Sequence, residues 1–125
     1  MDATVLAFGF DAAELKGLKA LCARKSVRLR RVSPEDCGQS IGALCSAAKR
    51  REDAAPGGAL PGKMLVFAHF RDRQLDMFLS ELQTARLGRG ALKAVLTPTN
   101  AQWDAAALYA ELARERDQMQ GRPKP

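Results

Sequence analysis

The chain carries one pattern twice. Val5-Leu6-Ala7-Phe8-Gly9-Phe10, followed by Leu15 and Leu18, returns 60 positions later as Leu65-Val66-Phe67-Ala68-His69-Phe70, followed by Leu75 and Phe78. Val32-Ser33-Pro34 and Leu44 return 64 positions later as Leu96-Thr97-Pro98 and Leu108. The four extra residues of the second copy fit a turn at Leu87-Gly88-Arg89-Gly90. A period longer than about 50 residues is not that of a solenoid and points to duplication of one supersecondary unit. Two copies of one unit restrict the topology sharply, although they name no reaction.

Each copy reads as strand, helix, strand, helix. Thr4–Phe10 and Met64–Phe70 are near-continuous apolar runs, the pattern of strands buried on both faces. Asp11-Ala12-Ala13-Glu14 reads as a capping box opening the first helix, with Phe10 and Leu15 as its hydrophobic staple. Leu15, Leu18, Leu21 and Cys22 then share one helical face. Val27–Val32 is a strand of another kind, because Arg28 and Arg30 alternate with Val27 and Leu29. Charge of this sort blunts a sheet edge. Ser33-Pro34-Glu35-Asp36 opens the second helix, with Ser33 as N-cap and Pro34 at its first position. The stretch Glu52–Lys63 is a loop. Leu75, Phe78, Leu79 and Leu82 define the third helix. Ala91–Leu96 is a fourth strand interrupted by Lys93, Thr97–Asn100 is a turn, and Asp104 caps the last helix.

Alternating strands and helices imply an α/β fold with helices on both faces of a sheet. The two apolar strands belong in the centre and the two charged strands at the edges, which gives the order 2-1-3-4. The expected fold is therefore a four-stranded, mainly parallel, flavodoxin-like sheet built from two βαβα pseudo-repeats, residues 1–53 and 63–120. A mixed sheet with antiparallel halves is the alternative. The 125 residues suffice for one domain, 1–120, with 121–125 as a disordered tail.

A parallel sheet of this kind binds ligands beyond the carboxyl ends of its strands, between strands one and three. The polar candidates there for ligand or partner contacts are Asp11, Ser33, Asp36, His69, Thr97, Asn100 and Trp103. Each has a structural reading beside it. Asp11, Ser33 and Asp36 serve helix starts, the lone His69 suits a turn or a stack on Phe70, and Trp103 suits a staple. Gly9-Phe10-Asp11 lacks the further glycines of a dinucleotide loop, and no G-x-x-x-x-G-K-[ST] occurs. A single histidine excludes a multi-histidine metal site. No catalytic set, metal or cofactor is therefore expected.

The net charge of +6 is spread evenly, with ten of the 20 Lys and Arg and seven of the 14 Asp and Glu in each half. That evenness weakens a nucleic-acid reading. The cluster Arg24, Lys25, Arg28, Arg30 and Arg31 leaves Arg28 and Arg30 as candidate phosphate contacts, without aromatic residues to stack on bases. Three cysteines with no C-x-x-C suggest reduced thiols, Cys22 and Cys45 in the core and Cys37 the most exposed. The longest apolar run is far too short to span a bilayer, and Met1-Asp2 is no secretory n-region, so a cytoplasmic protein is expected.

Lys93-Ala94-Val95-Leu96-Thr97-Pro98-Thr99-Asn100, with Trp103 and then Leu108-Tyr109-Ala110-Glu111-Leu112, resembles the signature of an uncharacterised bacterial family. In that family a K-A-V-x-T-P-x-N-x-x-W stretch precedes the closing helix. Phe8-Gly9-Phe10 with Glu14-Leu15, and Arg31 to Leu44 with Gln39-Ser40-Ile41-Gly42, resemble its opening. Asp104 stands where Ser or Thr is expected, and either can cap. The resemblance implies a small bacterial cytosolic protein and supplies no catalytic residue. The expected function is a non-enzymatic binding or protein-interaction module, with a protein partner or a homodimer. A small-molecule site or enzyme between strands one and three is the alternative, and electrostatic nucleic-acid binding a further one.

Overall fold

The computed structural model describes residues 2–45 and 58–120. The tail 121–125, the end of the first pseudo-repeat and the first half of the loop expected over Glu52–Lys63 lie outside these residues. Four strands form one sheet: β1 (Thr4–Phe8), β2 (Arg28–Val32), β3 (Met64–Ala68) and β4 (Leu92–Val95). Helices α1 (Ala12–Arg24), α2 (Ile41–Cys45), α3 (Asp72–Thr84) and α4 (Ala105–Gln120) flank it, with 3₁₀ turns at Pro34–Gly38 and Asn100–Gln102.

The sheet order is β2-β1-β3-β4, with the two apolar strands central. β1 pairs parallel with β2, and β3 parallel with β4. The central pair is antiparallel: Thr4 lies opposite Ala68, Leu6 opposite Val66 and Phe8 opposite Met64. The mainly parallel, flavodoxin-like sheet is thus corrected to a mixed one. An apolar strand buried on both faces reads the same in either direction, so its composition places it in the centre without orienting it. Val32, Phe8, Met64 and Leu92 form one row across the sheet. The chain therefore enters β3 at the end of the sheet where it left β2, and the connection need not cross the sheet.

Side-chain alternation divides the core into two layers. Val5, Ala7, Leu65 and Phe67 pack with Leu18, Leu21 and Cys22 of α1 and Phe78 and Leu82 of α3. Leu6, Phe8, Met64, Val66 and Ala68 pack on the other face with Ile41, Leu44 and Cys45 of α2 and Ala105 and Leu108 of α4. Phe8, Phe67 and Phe78 are almost wholly buried, each worth about 1.5–3 kcal/mol of apolar transfer. Phe67, Phe70 and Phe78 form a cluster with ring centroids 5.4 to 6.1 Å apart.

Local chemistry sets the element ends. Asp11 Oδ1 accepts from the Glu14 amide at 2.8 Å, which forms the first half of the expected capping box. Glu14 does not close the second half, because its carboxylate instead accepts from Lys63 Nζ at 2.8 Å, just before β3. Ser33 and Pro34 open a 3₁₀ turn rather than the expected α-helix. The α-helix starts later, where Ser40 Oγ accepts from the Ala43 amide at 3.2 Å. Asp104 caps α4 as expected, accepting from the Ala107 amide at 2.8 Å. These two caps, Ser40 and Asp104, face each other as an isolated antiparallel bridge, and the Ile41 amide donates to the Trp103 carbonyl at 2.8 Å.

β1 and β3 both end in a left-handed residue, Gly9 at φ 77° and His69 at φ 64°. Glycine adopts this conformation without strain, whereas a side chain there costs about 1–2 kcal/mol. A Cβ on Gly9 would also come within 2.9 Å of the Gly62 carbonyl oxygen. Gly9→Ala should therefore destabilise by about 2 kcal/mol and His69→Gly should stabilise by up to about 1 kcal/mol. Urea unfolding of both variants checks the pair; equal small effects of one sign would contradict it.

Candidate functional site

The antiparallel centre separates the residues that a parallel sheet would have gathered. Asp11 follows β1 at one end of the sheet and His69 follows β3 at the other. Ser33 and Asp36 leave β2 at the Asp11 end, and Thr97 and Asn100 leave β4 at the His69 end. The crevice expected between the carboxyl ends of β1 and β3 does not form.

Most of these polar groups are engaged in local structure. Asp36 accepts from Ser33 Oγ and from Gln39 Nε2, both at 3.2 Å. Asn100, 9% exposed, accepts from the Thr97 amide at 2.8 Å and donates through Nδ2 to the Val95 carbonyl at 3.1 Å. Its own amide donates to Thr97 Oγ1 at 3.0 Å. The Thr97-Pro98-Thr99-Asn100 stretch is therefore a reciprocally bonded turn that closes β4. Arg30 donates to the Leu44 carbonyl at 2.9 Å, while Arg28 is exposed. His69 is exposed. Trp103 is half-buried and lines a groove of about 270 Å³ beside Thr97, Glu111 and Glu115. Glu111 there is paired with Arg114. Among the described residues no three His, Cys, Asp or Glu side chains are placed to hold a metal ion.

Cys37 departs from its expected exposure. The 3₁₀ turn directs it inward, to 5% exposure, with its Sγ 3.6 Å from the Ser33 carbonyl. All three cysteines are free and buried. Burial pushes the Cys22 thiol up to about 11. Burial likewise pushes Cys45 up to about 11, against the opposing pull of the Arg30 guanidinium. Cys37 is raised first by burial and then by the carboxylates of Asp36 and Asp104.

The structure brings forward a site that local sequence patterns do not single out. On the α1/α3 face, Val27, Met77 and Phe78 form the apolar floor of a groove of about 320 Å³, rimmed by Lys25, Arg71 and Arg73. Met77 is 57% exposed there. Lys25 is paired with Glu81 at 3.1 Å. Among the described residues, neither the Arg71 nor the Arg73 guanidinium has a hydrogen-bond or ion-pair partner. A larger cleft of about 650 Å³ lies at the end of α3, beside Arg86, Arg89 and Lys93. It is less suited to an anion, because it opens at a helix C-terminus and Lys93 already donates to the Gly88 and Ala91 carbonyls.

The signal for the groove was in the sequence, in the places where the two halves differ. At the 60-residue offset, Met77 stands against Gly17, Val27 against Leu87, Arg71 against Asp11 and Arg73 against Ala13. The Leu87 side chain lies over Gly17, where a Cβ would come within 2.7 Å of Leu87 Cδ2 unless that side chain turned away. In the first half Leu87 occupies the space over Gly17. In the second half Met77 and the shorter Val27, at the matching positions, line the groove.

Residues 63–119 match the family model of a domain of unknown function, DUF3783, a span that takes in β3, α3, β4 and most of α4. No curated protein and no solved structure matches the chain. Among the described residues, no helix is long and apolar enough to cross a membrane.

Two outcomes follow from these environments. Asn100→Ala leaves the Thr97 amide and the Val95 carbonyl without their partner and should cost about 2–3 kcal/mol. Asn100→Asp keeps the acceptor for the Thr97 amide but turns a carboxylate oxygen on the Val95 carbonyl. It should therefore cost less at low pH, where the protonated carboxyl can donate, than at neutral pH; urea midpoints of both variants at the two pH values check this. Cys22 and Cys45 ionise near 9.0 when unfolded and near 11 when folded. Their raised folded values mean that the native state binds the extra proton, so this stability is full below pH 9 and is lost as pH rises from 9 to 11. The fall in unfolding free energy over that window should be shallower in Cys22→Ala/Cys45→Ala, and identical slopes would refute the assignment.

Proposed function

We propose that the chain is a single-domain, non-enzymatic binding module, built by duplication of a βαβα unit, in which the binding surface lies where the second unit meets the end of α1. Several symmetric details support the duplication. The β1–β3 register is centred on Leu6 and Val66, which are 60 positions apart. The left-handed residues recur at the same offset, Gly9 with His69 and Ser26 with Arg86. Helices α1 and α3 end alike, with the Val27 amide donating to Cys22 and the Leu87 amide to Leu82, both at 2.9 Å. Thr4 pairs with Arg28 and Met64 with Leu92, so the two halves differ by the four residues of the Leu87–Gly90 turn. The family match over the second unit accords with its being a module in its own right.

The observation that carries the binding reading is the groove of Val27, Met77 and Phe78 beneath Arg71 and Arg73. It is an apolar floor with an exposed methionine and two guanidinium groups that have no partner among the described residues, and methionine and arginine are both enriched in protein interfaces. Asp11, Ser33, Asp36, Thr97 and Asn100 act in this reading as caps of the fold. His69 and Trp103 keep surface that a partner can touch. A reaction between the carboxyl ends of β1 and β3 loses its geometric basis. Arg30 already gives one N–H donor to the Leu44 carbonyl, which leaves Arg28 the more exposed of the two candidate phosphate contacts. Three buried free thiols favour a reducing, cytoplasmic setting.

The test is a fragment titration followed by amide chemical shifts, using small apolar carboxylic acids as probes. Shifts should cluster at Val27, Arg71, Gln74, Met77 and Phe78. Shifts confined to the Asp11 or Thr97–Trp103 ends, or none anywhere, would overturn the reading.

A further inference from the structure

We infer that the groove receives an acidic peptide segment of a protein partner, with one bulky apolar side chain set on Val27, Met77 and Phe78 and carboxylates to either side meeting Arg71 and Arg73. The inference rests on the groove being the binding surface and adds the class of occupant.

Three features of the site select this class. The first is shape: Met77 is 57% exposed and Arg71 and Arg73 are exposed, so the site is a surface groove and not an enclosed cavity. Small ligands are usually held in pockets that bury most of their surface. A groove of about 320 Å³ instead suits one side chain of a larger partner. The second is charge. The cations at the rim are Lys25, Arg71 and Arg73, and Lys25 is already committed to Glu81. That leaves two neighbouring guanidinium groups at the start of α3, where the helix dipole adds to their attraction for carboxylates. Asp72 and Asp76, on the same helix, are exposed and are not part of the lining. The third is the floor. Phe78 is locked in the cluster with Phe67 and Phe70, so it offers a rigid apolar base, while Met77 above it can adapt to the anchor's shape.

The experiment selects from a displayed library of short random linear peptides against the full chain and measures the winners by fluorescence anisotropy. The expected winners carry acidic residues flanking one Leu, Met or Phe. Their affinity should fall about tenfold or more in Arg71→Glu/Arg73→Glu and in Met77→Asp, and should weaken with added salt. These sites are exposed, and glutamate suits a helix N-terminus, so the variants should fold; circular dichroism checks this. Arg114→Glu/Arg116→Glu, the same charge change on the opposite face of the sheet, should leave affinity unchanged. Winners that are neutral or basic but still lose affinity in Met77→Asp would overturn the acidic class and leave the groove standing. Winners unaffected by both groove variants would overturn the groove as well. A dimer abolished by Met77→Asp would make a second copy the occupant and overturn the inference, and so would a library that yields no binder.

Discussion

The antiparallel pairing of β1 with β3 is the constraint on which the rest of this structure depends. Its register, centred on Leu6 opposite Val66, buries two almost wholly apolar strands against each other and sends their tips to opposite ends of the sheet. It also puts α1 and α3 together on one face, and α2 and α4 on the other. Everything that follows each strand inherits that placement. The polar turns after β1 and β2 lie away from those after β3 and β4. The groove forms where α3 begins, close to the end of α1 and the start of β2.

Polar residues that look chemical in the sequence are spent on closing elements. A strand or helix end leaves backbone groups that need partners. Asn100 meets that need with three hydrogen bonds, and Asp11, Ser40 and Asp104 each cap a helix start. A side chain so engaged is a poor ligand contact, because binding would cost the bonds it already makes. The groove differs in kind. Among the described residues the guanidinium groups of Arg71 and Arg73 make no such bonds, and the floor sets Met77 and Val27 where the first half has Gly17 and Leu87 at the matching positions.

The elements were largely legible. The apolar runs, the capping residues at Asp11 and Asp104 and the helical spacing of Leu75, Phe78 and Leu82 located their strands and helices within a residue or two. The second helix was misplaced because Ser33-Pro34 is as good a start for a 3₁₀ turn as for an α-helix. Glu14 fitted a capping box, yet Lys63, 49 positions away, took its carboxylate. Cys37 read as exposed because its neighbours are polar, whereas the turn carries it inward. Each of these is a local pattern that admits two outcomes, and for Glu14 the choice is made by a partner distant in sequence.

The sequence by itself determined the order of elements, the central place of the two apolar strands and the charged character of the edges. These follow from periodicity and burial, which depend on neighbours along the chain. Only the tertiary structure decided that β1 and β3 run in opposite directions, because an apolar strand satisfies its neighbours equally well either way. It also decided the site. Met77, Val27, Arg71 and Arg73 are unremarkable in their own segments, and they form a surface only when the ends of two helices and the start of an edge strand are packed together.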